Sequence, residues 1–158
     1  MHKPIAINEY LPLPKFEEKG VSVHLKREDL IFPLASGNKW RKLKYNFKAL
    51  TASSAKGILT FGGAYSNHLA AAAALAAQEQ IPIVGIVRGE ELAKKLLNPT
   101  LTQCKANGMQ LVFVTRAEYK LKALGETASQ LVAAKNLVVL PEGGTNKLAV
   151  KGCMEILT

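Results

Sequence analysis

Cysteine is nearly absent: Cys104 and Cys153 are the only two in 158 residues, and they form no CxxC pair. Neither a disulfide framework nor a zinc site has the residues it needs. The three histidines, His2, His24 and His68, form no HxH or HExxH pattern, so no metal centre is expected. Long apolar runs are missing as well. The longest, residues 69–77, is alanine-rich and too short to cross a bilayer, and Met1-His-Lys-Pro-Ile5 lacks the apolar stretch of a secretory signal. The expectation is a cytoplasmic protein with no membrane partner. Acidic residues are in deficit, giving a net charge of +9. Residues 1–50 hold ten cations against five acids and residues 51–158 hold eleven against seven, so the excess is spread along the chain. Nucleic-acid binding, which favours a basic tail or a repeated groove element, is not expected. A hydrophobic fraction of 48% with 21% charged residues fits one soluble globular domain.

What is present is an alternation of strand and helix signals. Residues 21–25 alternate as a strand after a proline-punctuated start. Short apolar runs at 57–61, 83–87, 110–114 and 137–140 read as further strands. Between them, 67–80, 100–107 and 118–135 read as helices, and 92–97 as helical material interrupted near Pro99. The 118–135 segment places Leu121, Leu124, Ala128, Leu131 and Val132 on one side. From Lys147 a last helix stacks Val150, Met154 and Leu157. Four apolar strands alternating with helices imply an α/β fold, a four-stranded parallel sheet with helices on both faces. Ligands in such sheets bind beyond the carboxyl ends of the strands, where loops lead into helix N-termini.

Two segments at such positions carry candidate chemistry. In Leu34-Ala-Ser-Gly-Asn-Lys-Trp-Arg-Lys-Leu43, Ser36 or Asn38 can cap a helix whose buried stripe is Trp40, Leu43, Phe47 and Leu50. Lys39 then lies in the first turn on the inward side, while Arg41, Lys42 and Lys48 point to water. The helix dipole and partial burial both disfavour an ammonium there, which suits an amine that attacks a carbonyl in Schiff-base chemistry. The same pattern also fits a solvated lysine at the edge of a basic helix. In Thr60-Phe-Gly-Gly-Ala-Tyr-Ser-Asn-His-Leu69, a glycine-ended strand meets a helix that Ser66 or Asn67 can cap, and the free N–H groups beyond suit a carboxylate or phosphate. An ordinary strand-to-helix turn would look the same. GxGxxG is absent, and Ser66 lacks the flanking glycines of a nucleophile elbow. His68 reads as a substrate donor or as partly exposed packing. Pro141-Glu-Gly-Gly-Thr145 reads as a tight exit from the last strand, and Lys147 is a weaker rival to Lys39.

Four motifs in order, Lys26-Arg-Glu-Asp-Leu30, Gly37-Asn-Lys-Trp-Arg-Lys-Leu43, Tyr65-Ser-Asn-His68 and Pro141-Glu-Gly-Gly-Thr-Asn146, resemble the 1-aminocyclopropane-1-carboxylate deaminase and D-cysteine desulfhydrase family. These are pyridoxal-phosphate enzymes of the tryptophan-synthase-β-like fold. The resemblance implies that Lys39 is catalytic and carries pyridoxal 5'-phosphate covalently, that Asn67 contacts the cofactor, and that Ser66, Asn67 and His68 hold the carboxylate of a small amino-acid substrate. It also implies residues 1–45 as the N-terminal part of a large cofactor domain, 46–146 as the small parallel α/β domain, and 147–158 as the start of a helix returning to the large domain. His68 stands where the deaminases proper carry glutamine, and Tyr65 and Leu69-Ala70 depart from their QSN-x-x-R form, so the amino acid is left open between deaminase and desulfhydrase types. Family members extend well beyond this length, and their phosphate-binding loop has no counterpart here. The expectation is a truncated chain, weak alone and able to self-associate, from an enzyme that is a homodimer at full length. The alternative is a non-catalytic α/β module that binds an anionic small molecule or a partner chain.

Overall fold

The computed structural model describes residues 6–32, 35 and 37–157. A four-stranded parallel sheet forms its centre: β3 (Gly57–Gly62), β4 (Ile83–Arg88), β5 (Gln110–Val114) and β6 (Leu137–Val139), in the order β5-β4-β3-β6. The central strands β3 and β4 are apolar runs buried on both faces, with Arg88 alone exposed, and the edge strands β5 and β6 are partly exposed. Alternate residues of β3 and β4 go to opposite faces. Ile58, Ile83 and Val87 join one core with Leu43, Phe47 and Leu50 of α2 (Asn38–Thr51), Leu69 and Leu75 of α3 (Asn67–Gln78), and Leu101 and Cys104 of α4 (Pro99–Ala106). Leu59, Phe61, Val84 and Ile86 join the other, with Tyr119 of α5 (Arg116–Leu121) and Ala128 of α6 (Glu126–Lys135). The expected architecture is the observed one. No helix among the described residues is long and apolar enough to cross a membrane.

Outside the sheet, β1 (Asn8–Leu11) pairs antiparallel with β2 (Val23–Lys26), so that Asn8 faces Lys26 and Leu11 faces Val23. A short helix, α1 (Pro14–Glu17), joins them. The chain ends in α7 (Lys147–Met154) and a 3-10 turn, Glu155–Leu157.

Four local expectations are corrected. Asn38 lies inside α2, whose N-cap position is Gly37 with no side-chain cap bond, and Ser36 lies outside the described residues. The 118–135 segment is not one helix. It breaks at Lys122, which takes a left-handed φ of 52°, and Glu118 accepts the N–H of Thr127 at 2.9 Å, capping α6 where Gly125 has no side chain to do so. Leu121 and Leu124, freed from any shared stripe, are exposed.

Arg41 does not face water. It is 6% exposed, because α7 covers that side of α2, and its guanidinium pairs with Glu28 through two bonds of 2.9 Å and with Glu155 at 3.1 Å. The helices meet at Gly152, where an added Cβ would lie 1.9 Å from the Arg41 carbonyl oxygen. Ala149 and Gly152 therefore form the buried face of α7, whereas Val150, Met154 and Leu157 point outward.

Candidate active site

Three loops converge at the carboxyl end of β3. Lys39 occupies the second position of α2, half-buried, and its ammonium is close enough to His68 at the start of α3 to oppose a charge there. The turn Glu142–Gly144 fills the space between the two helices. A Cβ added to Gly144, whose φ is 69°, would lie 3.4 Å from Cε1 of His68 and 3.6 Å from Leu43. Lys42 donates to the Thr145 hydroxyl at 3.0 Å, tying α2 to the same turn.

Lys39 differs from its neighbours in what it touches. Arg41 and Lys44 are paired with carboxylates and Lys42 with a hydroxyl. Among the described residues Lys39 has no hydrogen bond and no ion pair. Its amine is thus half-buried and, among the described residues, held by no carboxylate. Lys147, the rival, is exposed at the first position of α7.

Ser66 caps α3 by accepting the N–H of Leu69 at 3.2 Å, which leaves its own O–H able to donate. The N–H groups of Asn67 and His68 precede the first intrahelical bonds and have no partner among the described residues. Asn67 is exposed, and its side-chain amide is uncommitted. The helix start therefore gathers two backbone donors, a hydroxyl and an amide, groups from which an anion can accept.

His68 lies deeper than its position at a helix start suggests, at 4% exposure. Its Nε2 is 2.8 Å from Oγ1 of Thr60, and that hydroxyl gives its single proton to the Leu140 carbonyl at 3.0 Å. Nε2 must then be the donor, so Nδ1 carries the lone pair. Nδ1 is buried and has no partner among the described residues. Burial, reinforced by Lys39 and Lys42, pushes the His68 pKa down to about 4, and the ring is neutral at physiological pH. Its side chain acts from below the site, while its N–H belongs to the exposed helix start.

Sequence reasoning missed a crevice of about 810 Å³ on the other side of the Tyr65–Ser66 turn, bounded by Arg88, Arg116, Tyr119, Lys122 and Glu142. The Tyr119 hydroxyl donates to Glu142, and burial followed by that bond keeps it protonated. Lys122 sits 3.4 Å over the Tyr119 ring and 2.9 Å from the Glu142 carboxylate. The available signal was Arg88, a lone cation closing the apolar run Ile83-Val-Gly-Ile-Val-Arg88.

The fold is the one seen in solved pyridoxal-phosphate enzymes of fold type II. A solved structure of an ACC deaminase homologue superposes with a TM-score of 0.74 at 26% identity, over 97% of this chain and 48% of that one. Serine racemase from Dictyostelium discoideum superposes with a TM-score of 0.67 over 99% of this chain and 47% of its own, at 14% identity, a likeness of fold alone. In sequence the chain is similar to the N-terminal half of the 1-aminocyclopropane-1-carboxylate deaminase and D-cysteine desulfhydrase enzymes. A Thermotoga maritima protein carrying the provisional name 1-aminocyclopropane-1-carboxylate deaminase is 31% identical over 140 residues, 86% of this chain and 44% of the relative. D-cysteine desulfhydrase of Klebsiella pneumoniae is 31% identical over 162 residues, 93% of this chain and 46% of the relative. The chain thus spans less than half the length of these curated relatives. No profile of a known protein family matches it.

Proposed function

We propose that this chain is the lysine-bearing part of a pyridoxal-phosphate-dependent deaminase or desulfhydrase-type lyase acting on a small amino acid. The single observation that carries the reading is Lys39, an amine that, among the described residues, has no carboxylate partner and lies beside a helix start whose donors have none either. The residues fit the cofactor: an amine and an Asn67 amide that are uncommitted among the described residues, and a buried acceptor, Nδ1 of His68, that has no partner there.

When bound, pyridoxal phosphate supplies an electron sink for bonds broken at the substrate's α-carbon. Lys39 would hold it covalently at rest and move protons at that carbon once its nitrogen is released. The Asn67 amide would orient the ring. The N–H groups of Asn67 and His68, with the Ser66 hydroxyl, would bind the substrate carboxylate and fix the carbon near Lys39. Neutral His68 serves this arrangement because a charged ring would repel Lys39.

The substrates proposed are 1-aminocyclopropane-1-carboxylate and D-cysteine, the molecules that the similar proteins are named for. Alone, the chain is proposed to bind the cofactor weakly and turn over slowly. Titrating pyridoxal phosphate into the protein and following its visible absorption tests the reading, with ammonia release from both substrates measured in parallel. A saturable spectral change that disappears in Lys39→Ala supports it. The same change in Lys39→Ala overturns it.

A further inference from the structure

Glu28, in the 3-10 turn Glu28–Leu30, holds the start of α2 on both sides of Lys39. Its carbonyl accepts the N–H of Gly37 at 3.1 Å, and its carboxylate takes the Arg41 guanidinium through two parallel bonds of 2.9 Å. Gly37 precedes Lys39 by two residues and Arg41 follows it by two. This helix end needs an outside hold. The helices α3, α4, α5 and α7 are capped by the side chains of Ser66, Asn98, Thr115 and Asn146, whereas α2 starts at Gly37, with a φ of 66° and no side chain to offer.

The hold comes from behind the site. Residues two apart on a helix point about 200° away from each other, so Arg41 and Lys39 occupy opposite faces of α2. Lys39 lies toward His68, while Arg41 lies toward the turn at Glu28 and toward Glu155, which adds a bond of 3.1 Å. The side chains of Arg41 and Glu28 are 8% and 15% exposed, and both oxygens of Glu28 are committed to the guanidinium. A bidentate pair so far from water fixes direction as well as distance. The Lys39 amine, by contrast, sits on a flexible four-carbon stem and has no partner among the described residues, so the helix turn that carries it decides where it can reach.

We propose that Glu28 is a positioning residue for the Lys39 amine, fixing the first turn of α2 from the face opposite the site. Glu28 acts through Gly37 and Arg41 and not on the amine itself. The inference rests on the imine role proposed above for Lys39.

The test titrates pyridoxal phosphate into the protein, traps imines with borohydride, and compares label at Lys39 with label at exposed Lys105 by peptide mass spectrometry. The ratio is measured in the parent protein, Glu28→Gln, Arg41→Lys and Val84→Ala, each shown by circular dichroism to be folded. Glutamine removes the charge and one arm of the fork, and lysine keeps the charge but loses the fork. Each should lower the ratio about tenfold, the scale of one charge-assisted hydrogen bond. Val84 is 3% exposed in the core that α5 and α6 cover, so Val84→Ala destabilises the fold on the far side of the sheet and should leave the ratio unchanged. Arg41→Lys decides alone if Glu28→Gln does not fold. A ratio that neither clamp variant lowers, or that Val84→Ala lowers as far, overturns the proposal while Lys39 keeps its role. No excess label at Lys39 in the parent protein overturns the imine reading itself, and this inference with it.

Discussion

Replacing Thr60 with valine isolates the one polar relay inside the core. The residue is 0% exposed, and its hydroxyl both donates to the Leu140 carbonyl and accepts from His68. Valine keeps the shape and removes both bonds, leaving a carbonyl and an imidazole N–H buried without partners. Each such group costs about 1–3 kcal/mol, so the pair should cost about 3 kcal/mol. In a domain of this size that corresponds to a fall in Tm of about 6–12 °C. Thr60→Ser keeps the hydroxyl and loses one methyl, costing about 1 kcal/mol. The order is the diagnostic, because a Thr60 that merely fills space would make serine the worse substitution. Thermal unfolding followed by circular dichroism, with urea denaturation as a second measure, decides between them. Valine as stable as the parent protein, or serine less stable than valine, would refute the relay.

Acid should destabilise the fold through His68. Its folded pKa of about 4 lies below the ordinary histidine value of 6.5, so the unfolded chain binds the extra proton first. Stability from this group is complete above about pH 6.5 and is lost as pH falls toward 4, a change of about 3 kcal/mol in urea titrations, and His68→Gln should flatten that slope. Gly152→Ala should force α7 off α2, given the 1.9 Å approach to the Arg41 carbonyl, at a cost of about 2 kcal/mol or more; unchanged urea midpoints would contradict the close packing. Glu28→Ala should cost about 3 kcal/mol, because it leaves Arg41 buried with Glu155 alone, and the loss should change little between low and high salt.

The sheet was legible because parallel strands are buried on both faces, so runs such as Ile83-Val-Gly-Ile-Val87 stand out without any knowledge of the tertiary fold. Strand β1 was not, since Asn8, Glu9 and Tyr10 are exposed and carry no apolar alternation. The break at Lys122 was hidden by leucines that continue a helical spacing across it. The setting of Lys39 followed from local signals, a helix start beside an apolar stripe. Burial of Arg41 and of the His68 ring did not, because each depends on residues far along the chain, Glu155 and Gly152 in one case and Leu140 and Gly144 in the other. Arg88 was passed over for the same reason: a cation ending a strand acquires meaning only when Tyr119 and Glu142 close a crevice around it.

The most direct test of the central claim is to incubate the protein with pyridoxal phosphate, reduce it with borohydride, and map the modified lysines by peptide mass spectrometry. The geometry predicts that the peptide containing Lys39 carries the label in clear excess over those containing Lys42, Lys48 and Lys147, and that Lys39→Ala removes that excess. Label spread evenly over the lysines, or concentrated on Lys147, would contradict it.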